Sequence, residues 1–195
     1  MASSTPAAAR LFDLAMAPLE LAVLRHSRAW IGRRARGRVL LVGFGTGADL
    51  PYLARDVSVT GLDISRDMLE GARNRAAASD RAVALVVGDA GCLPFADAVF
   101  DTVICTFALC GVPDDRLALS EMLRVLRPGG DVLLADHVEA SAAPVRALQS
   151  GLDALTRSRG EHWRRRPLLH LDDLGADVIS TRRTAFGVLE RVHAR

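Results

Sequence analysis

Residues 38–47 read Arg38-Val39-Leu40-Leu41-Val42-Gly43-Phe44-Gly45-Thr46-Gly47. Four consecutive apolar residues without alternation suit a strand buried on both faces, as in a parallel sheet covered by helices. The glycines that follow open a loop before a helical stretch expected to run to Arg55. Small residues at a strand-to-helix junction let a ligand approach the backbone closely. Alone, the loop leaves its purpose open. Gly43-x-Gly45-x-x-Ala48 satisfies the dinucleotide fingerprint, and a tight turn would also need small residues there.

The same alternation continues downstream. Residues 57–62 form a second apolar run closed by Asp63, residues 83–87 a third closed by Gly88-Asp89, residues 102–107 a fourth, and residues 132–135 a fifth ending at Asp136-His137. Between them lie helical spacings. Ser65 is a good N-cap for the helix carrying Met68, Leu69, Ala72 and Ala76, with Asp67 in its first turn. Leu119, Met122, Leu123 and Leu126 mark another, stopped by Pro128-Gly129-Gly130, and Val145, Leu148, Leu152 and Leu155 a third. Strands alternating with amphipathic helices predict an α/β fold with helices on both faces of the sheet. The C-terminal end departs from this. Residues 177–184 and 187–195 are strand-like and joined by Ala185-Phe186, which predicts a closing antiparallel hairpin.

Upstream, residues 1–9 read as a loose tail. Residues 10–36 have helical spacing, with Leu19, Val23, His26 and Trp30 on one stripe and Pro18 interrupting it. The expected organisation is one structural domain: an N-terminal helical segment, 1–36, and a core, 37–195.

A chain of 195 residues with half of them apolar suits one packed domain. Its net charge of +2, with acids and bases interspersed, argues against nucleic acid as a partner. Cys92, Cys105 and Cys110 lie at no metal-ligand spacing, so neither a zinc site nor a disulfide framework is expected. With no charged start and apolar run at the N-terminus and no bilayer-length apolar segment, a cytoplasmic protein is expected.

Two carboxylates carry the chemistry. Asp63, 20 residues after Gly43, closes the second strand, where it can accept hydrogen bonds from both hydroxyls of a ribose or simply turn the chain into the Ser65 cap. Asp89 closes the third strand, where it can reach an adenine amino group with the Ala90 amide facing the ring; the competing reading is a plain turn. A dinucleotide enzyme has no general need for this second acid and normally brings a separate substrate domain, so Asp89 turns the reading away from NAD.

The order of these features resembles the class I S-adenosylmethionine-dependent methyltransferases. The resemblance covers about residues 38–137 and rests on residues 39–47, Gly61-Leu62-Asp63-Ile64-Ser65, Gly88-Asp89-Ala90 with Leu93-Pro94-Phe95, Phe100-Asp101, and Leu123-Arg124-Val125-Leu126-Arg127-Pro128-Gly129-Gly130. Within that superfamily the chain is similar to the small ubiquinone-type and phosphatidylethanolamine-type enzymes. Residues 103–110 with Asp136-His137-Val138 further resemble a group that methylates alkyl thiols. The resemblance implies a Rossmann-like, seven-stranded sheet whose last strand is antiparallel. It implies that Gly43, Gly45 and Gly47 line the methionine and ribose, that Asp63 holds the ribose, that Ile64 and Met68 pack near the adenine, and that Asp89 reads its amino group. The backbone around Thr106 and Phe107 would approach the sulfonium. One position departs: where the family usually carries an acid two residues before the first loop glycine, helping to position the methionine ammonium, this chain has Leu41.

Methyl transfer from a sulfonium needs alignment and exclusion of water more than it needs a catalytic group. An oxygen, nitrogen or sulfur acceptor that must lose a proton invites a base, and His137 after the fifth strand is the candidate, unless it only hydrogen-bonds a neighbouring loop. His162 and Trp163 with Arg164-Arg165-Arg166 would receive an anionic acceptor or form a solvated loop. The expected acceptor is a small molecule or lipid. The N-terminal helix is expected to lid the site, in preference to lying on a membrane surface. Two competing readings are an NAD(P)-dependent oxidoreductase using the same glycine loop and a non-catalytic binding protein.

Overall fold

The computed structural model describes residues 24–79, 81–156, 166–185 and 187–195. Strands β1 (Arg38–Val42), β2 (Ser58–Asp63), β3 (Val83–Val87), β4 (Phe100–Thr106), β5 (Leu126–His137), β6 (Val178–Thr184) and β7 (Leu189–Ala194) form one sheet in the order β3-β2-β1-β4-β5-β7-β6. The first five pair in parallel, and β7 runs antiparallel between β5 and β6. The sheet is the seven-stranded one implied by resemblance, closed by the expected hairpin.

Helices α1 (Arg25–Gly32), α2 (Arg66–Ala77), α3 (Asp115–Val125), α4 (Ala143–Thr156) and α5 (Pro167–Asp173) accompany it. Side chains alternate across a strand, so each continuous apolar run supplies both faces. Leu40, Val42, Val103, Cys105, Val132 and Leu134 pack with Ala118, Leu119 and Met122 of α3 and Leu171 of α5. On the other face Val39, Leu41, Ile104 and Leu133 pack with Ile31 of α1 and Leu69, Ala72 and Ala76 of α2. Ser65 caps α2 by accepting from the Met68 N–H at 3.3 Å, as its position predicts.

Four expectations are corrected. The helix expected from the glycine loop to Arg55 is only a 3-10 turn, Leu50–Tyr52. Pro51 lacks the N–H that an α-helix would need there, and Leu50 and Leu53 drop into the core instead. Helix α3 ends before the Pro128-Gly129-Gly130 stop. Leu126 already has extended backbone (φ −77°, ψ 136°) and pairs with Phe100, so β5 begins at once. The hairpin connection spans residues 185–188 rather than two residues. Ala185 (φ 51°) and Gly187 (φ 84°) leave extended backbone, and the Val188 N–H turns back to the Ala185 carbonyl at 3.1 Å; Phe186 lies outside the described residues. In α1 the buried residues are Ser27, Arg28, Ile31 and Gly32, with Leu24 buried just ahead of it, while His26 is exposed and Trp30 half-buried. Ile31 belongs to the core cluster and Arg28 to a buried ion pair, so both turn inward ahead of the expected stripe. Leu19 and Val23 of that stripe, residues 1–9 and the cluster from His162 to Arg165 lie outside the described residues. Helix α5 was not foreseen, although Pro167 at its first turn and the apolar residues behind it are its signal.

Candidate active site

The site forms at the C-terminal tips of β1 to β5, the edge where open α/β sheets bind ligands. Its centre is the glycine loop. Gly43 (φ 70°) and Gly45 (φ 56°) occupy the left-handed region that side chains rarely adopt. A Cβ on Gly43 would collide with the Cβ of Ala108, whereas one on Gly45 would point into open space with nothing within 4 Å. Gly47 is packed under the Phe44 ring, with its N–H on the Phe44 carbonyl at 3.0 Å. The loop is held from several sides. Asp63 Oδ2 accepts from the Gly45 N–H at 2.7 Å, Leu62 O from the Phe44 N–H at 2.9 Å, and Arg75 of α2 donates to Thr46 O at 2.7 Å.

Beside the loop lies a cleft of about 190 Å³ bounded by β2 and β3 tips and the segment after β4. Gly43, Asp63, Ile64, Asp89 and Ala90 line it, joined by Ala108, Val112 and Pro113 on the far wall. Five of the sequence candidates therefore converge. Asp63 is half-buried, and its Oδ1 accepts from the Ser65 N–H at 2.9 Å; the Asx turn thus exists alongside any ligand role. Asp89 is exposed, and its Oδ1 accepts from the Gly91 N–H at 2.8 Å. Ile64 is 71% exposed at the cleft mouth. Met68 sits half-buried in the first turn of α2 and does not line the cleft. Apolar walls with a carboxylate at each of two strand tips fit a nucleoside: flat faces for a base, acceptors for hydroxyl and amino groups.

A residue missed from sequence holds the segment that follows Asp89. Arg124 of α3 donates to Leu93 O (3.1 Å), Phe95 O (2.9 Å), Asp97 (2.6 Å) and Glu121 (2.7 and 2.8 Å), while Glu121 accepts from the Leu93 N–H at 2.8 Å. Arg124 lay within the motif that carried the resemblance, but nothing in its spacing told what it would reach.

On the β4 side of the loop, Thr106 and Phe107 meet two further residues missed from sequence. Arg28 Nη1 pairs with Asp49 Oδ2 at 2.8 Å, and its guanidinium lies 5.6 Å from the Phe107 ring centroid. Burial raises the Asp49 pKa, with the Arg28 charge acting against it. Phe107 itself has φ 55°, a conformation costing a non-glycine residue roughly 1–3 kcal/mol and characteristic of functional sites.

His137 ends β5 in a cluster with Cys110 and Asp136, their ligand-capable atoms within 4.8 Å of one another. Asp136 is buried and spends its oxygens on backbone donors, Leu109 N–H at 2.9 Å and His137 N–H at 2.8 Å. Burial pushes its pKa up to about 7. Burial also pulls His137 down to about 4, so its imidazole is neutral at physiological pH; Nδ1 lies 3.3 Å from Asp136 Oδ1. The buried Cys105 thiol is raised well above its ordinary value and is strand core.

Comparison with known proteins agrees with this geometry. A methyltransferase-domain family matches residues 40–134. Among curated relatives, a phosphatidylethanolamine N-methyltransferase of Cereibacter sphaeroides is 34% identical over 154 residues, 78% of this chain and 75% of that protein. A demethylmenaquinone methyltransferase of Beutenbergia cavernae is 40% identical over 149 residues, 72% of this chain but only 59% of that protein. A SAM-dependent methyltransferase from Methanosarcina mazei shares the fold at a TM-score of 0.69 and 21% identity, over 85% of this chain and 95% of that one. Sheet order, the glycine loop with its two strand-tip carboxylates, and these likenesses converge on one answer: the chain belongs to the class I S-adenosylmethionine-dependent methyltransferases.

Proposed function

We propose that this chain transfers a methyl group to a small-molecule or lipid acceptor bearing a nitrogen, oxygen or sulfur nucleophile, holding the adenosine of its cofactor across the tips of β2 and β3. The cleft at Gly43, with Asp63 and Asp89 on apolar walls, carries this reading. When bound, the cofactor supplies a sulfonium methyl open to in-line displacement. Asp63 accepts from the ribose hydroxyls and Asp89 from the adenine amino group, with the Ala90 N–H toward the ring. Ile64 covers the base from the mouth of the cleft, whereas Met68, which does not line the cleft, is left out of the site. Gly43, Gly45 and Gly47 let the ribose and methionine lie against backbone, and the backbone of Thr106 and Phe107 borders the reacting centre. The N-terminal segment, 1–36, acts as a lid that excludes water.

His137 is the group that accepts a proton from the acceptor. Its depressed pKa keeps it unprotonated but makes it a weak base, which suits an acceptor that loses its proton only as the new bond forms. The names of the two relatives, one acting on phosphatidylethanolamine and one on demethylmenaquinone, support an acceptor with a large apolar portion. The balanced net charge of +2 supports no nucleic-acid partner, and the free thiols of Cys92, Cys105 and Cys110 support a reducing cytoplasm. Among the described residues no helix is long and apolar enough to cross a membrane.

Calorimetry with S-adenosylmethionine, S-adenosylhomocysteine and NAD tests the cofactor reading; binding of NAD with indifference to the other two reverses it. Methyl transfer to phosphatidylethanolamine vesicles and to soluble amines, phenols and thiols tests the acceptor class. Cofactor binding without turnover on any of them would replace the enzyme reading with a binding one.

A further inference from the structure

The cofactor of this family ends in an amino acid, an ammonium beside a carboxylate, which needs charged partners wherever it leaves water. The adenosine cleft offers none beyond Asp63 and Asp89, which stand at the β2 and β3 tips. The loop end of β1 offers none either: Leu41 is 2% exposed, packed in the apolar cluster beneath the loop. Sheet order leaves the other flank of the glycine loop, toward β4, for the methionine end.

That flank holds a buried carboxyl group paired with an arginine. Asp49 follows Gly47 by two residues, and the Leu50 N–H on Gly47 O at 3.1 Å keeps this stretch folded against the loop. Asp49 is 5% exposed. Its Oδ2 is paired with Arg28, but its Oδ1 is buried with no hydrogen-bond partner, and so is Oγ1 of Thr106 at the tip of β4. Thr106 is itself 7% exposed and close enough to Asp49 to favour its ionised form. The Thr106 hydroxyl has one proton to give Asp49, and buried polar atoms are nearly always satisfied, so the carboxylate beside this loop has room for a further donor. An ammonium has three N–H donors and could serve both.

We propose that Asp49 anchors the methionine ammonium of the cofactor, with Thr106 beside it and Arg28 as the positioning residue that aims its carboxyl group. This rests on the adenosine placement proposed above. Asp49 then supplies from the far end of the loop the anion that β1 lacks at Leu41. Because Arg28 lies on α1, the same pair ties the N-terminal helix to the occupied site.

The test compares two ligands that share the adenosine and differ in the amino acid: S-adenosylhomocysteine and 5′-methylthioadenosine. In Asp49→Asn, calorimetry should show S-adenosylhomocysteine weakened by about tenfold or more, the loss of one charged hydrogen bond, with 5′-methylthioadenosine unchanged. A parallel loss for both ligands, or no loss for either, overturns the proposal and leaves Arg28–Asp49 as a fold contact only. Wild-type protein with ¹³C-labelled aspartate carboxyls gives a readout independent of the variant's folding. The Asp49 carboxyl resonance should move on adding S-adenosylhomocysteine and stay still with 5′-methylthioadenosine; the same response to both overturns the proposal. Failure of the wild type to bind either ligand removes the adenosine placement as well, whereas normal binding of both by Asp49→Asn removes only the anchor.

Discussion

Asp63 Oδ2 accepts a hydrogen bond from the Gly45 N–H at 2.7 Å, so the tip of β2 grips the loop that follows β1. With its Oδ1 on the Ser65 N–H at 2.9 Å, one carboxylate sets the loop and starts α2. Each carboxylate oxygen has two acceptor sites, so the ribose hydroxyls can be added without breaking either bond.

Asp63→Ala therefore has two expected effects. Affinity for S-adenosylhomocysteine falls by roughly tenfold or more, and stability falls by about 1–3 kcal/mol as two backbone donors lose a charged acceptor. Calorimetry and urea denaturation measure the two separately. Unchanged affinity in a folded variant would remove Asp63 from the ribose.

Gly43→Ala and Gly45→Ala separate packing from ligand approach. Both positions have positive φ, which costs alanine on the order of 1–2 kcal/mol. Gly43→Ala adds a collision with Ala108 and should destabilise the fold further, whereas at Gly45 the new methyl meets open space. Gly45→Ala should then lose cofactor affinity out of proportion to its fall in Tm. Equal affinity in Gly45→Ala and wild type would mean that no ligand lies against that backbone.

Asp89→Ala tests the proposed adenine contact. The side chain is exposed and its one local bond is to the Gly91 N–H, so the change in stability should stay within about 1 kcal/mol. The wild type should prefer S-adenosylhomocysteine to its inosine counterpart, and the variant should lose that preference. A preference retained in the variant assigns adenine recognition to another group.

Asp136 and His137 predict a pH dependence that cancels in the wild type. Burial raises Asp136 to about 7 and lowers His137 to about 4. Between about pH 4 and 6.5 the folded pair is a neutral acid beside a neutral imidazole, while the unfolded chain carries an aspartate and an imidazolium. Both states bind one proton, so this pair adds no slope to stability there. Removing either partner exposes the other. In His137→Phe the raised Asp136 remains: stability is greatest at low pH and falls by about 1.4 kcal/mol per unit from pH 4 to 7. In Asp136→Asn the lowered His137 remains: stability rises by about the same slope from pH 4 to 6.5 and is lost as pH falls. Urea melts across this range measure both, and parallel profiles for the two variants would disprove the assignment.

The local features read correctly from sequence are those that depend on near neighbours. The continuous run of β1 and the identity of β3 followed from apolar pattern, and the Ser65 cap from a hydroxyl placed ahead of a helical spacing. The glycine loop and the two strand-tip acids were equally legible, because a parallel sheet brings successive strand ends to one edge whatever its details. Where local pattern misled, a nearby competitor had won. Pro51 cut the expected helix to one 3-10 turn, and Leu126 entered β5 before the Pro-Gly-Gly stop was reached.

The chain order alone thus determined an α/β fold that brings Gly43, Asp63 and Asp89 to one edge of the sheet. Tertiary structure decided what sequence distance conceals. Arg28 reaches Asp49, Arg124 reaches back to Leu93 and Phe95, and Cys110 in the turn after β4 meets Asp136 and His137 at the end of β5. Period and propensity describe a residue against its own helix or strand. A buried charge finds its partner only once the sheet order has set which tips are neighbours, and the burial that shifts Asp136 and His137 exists only in the packed chain.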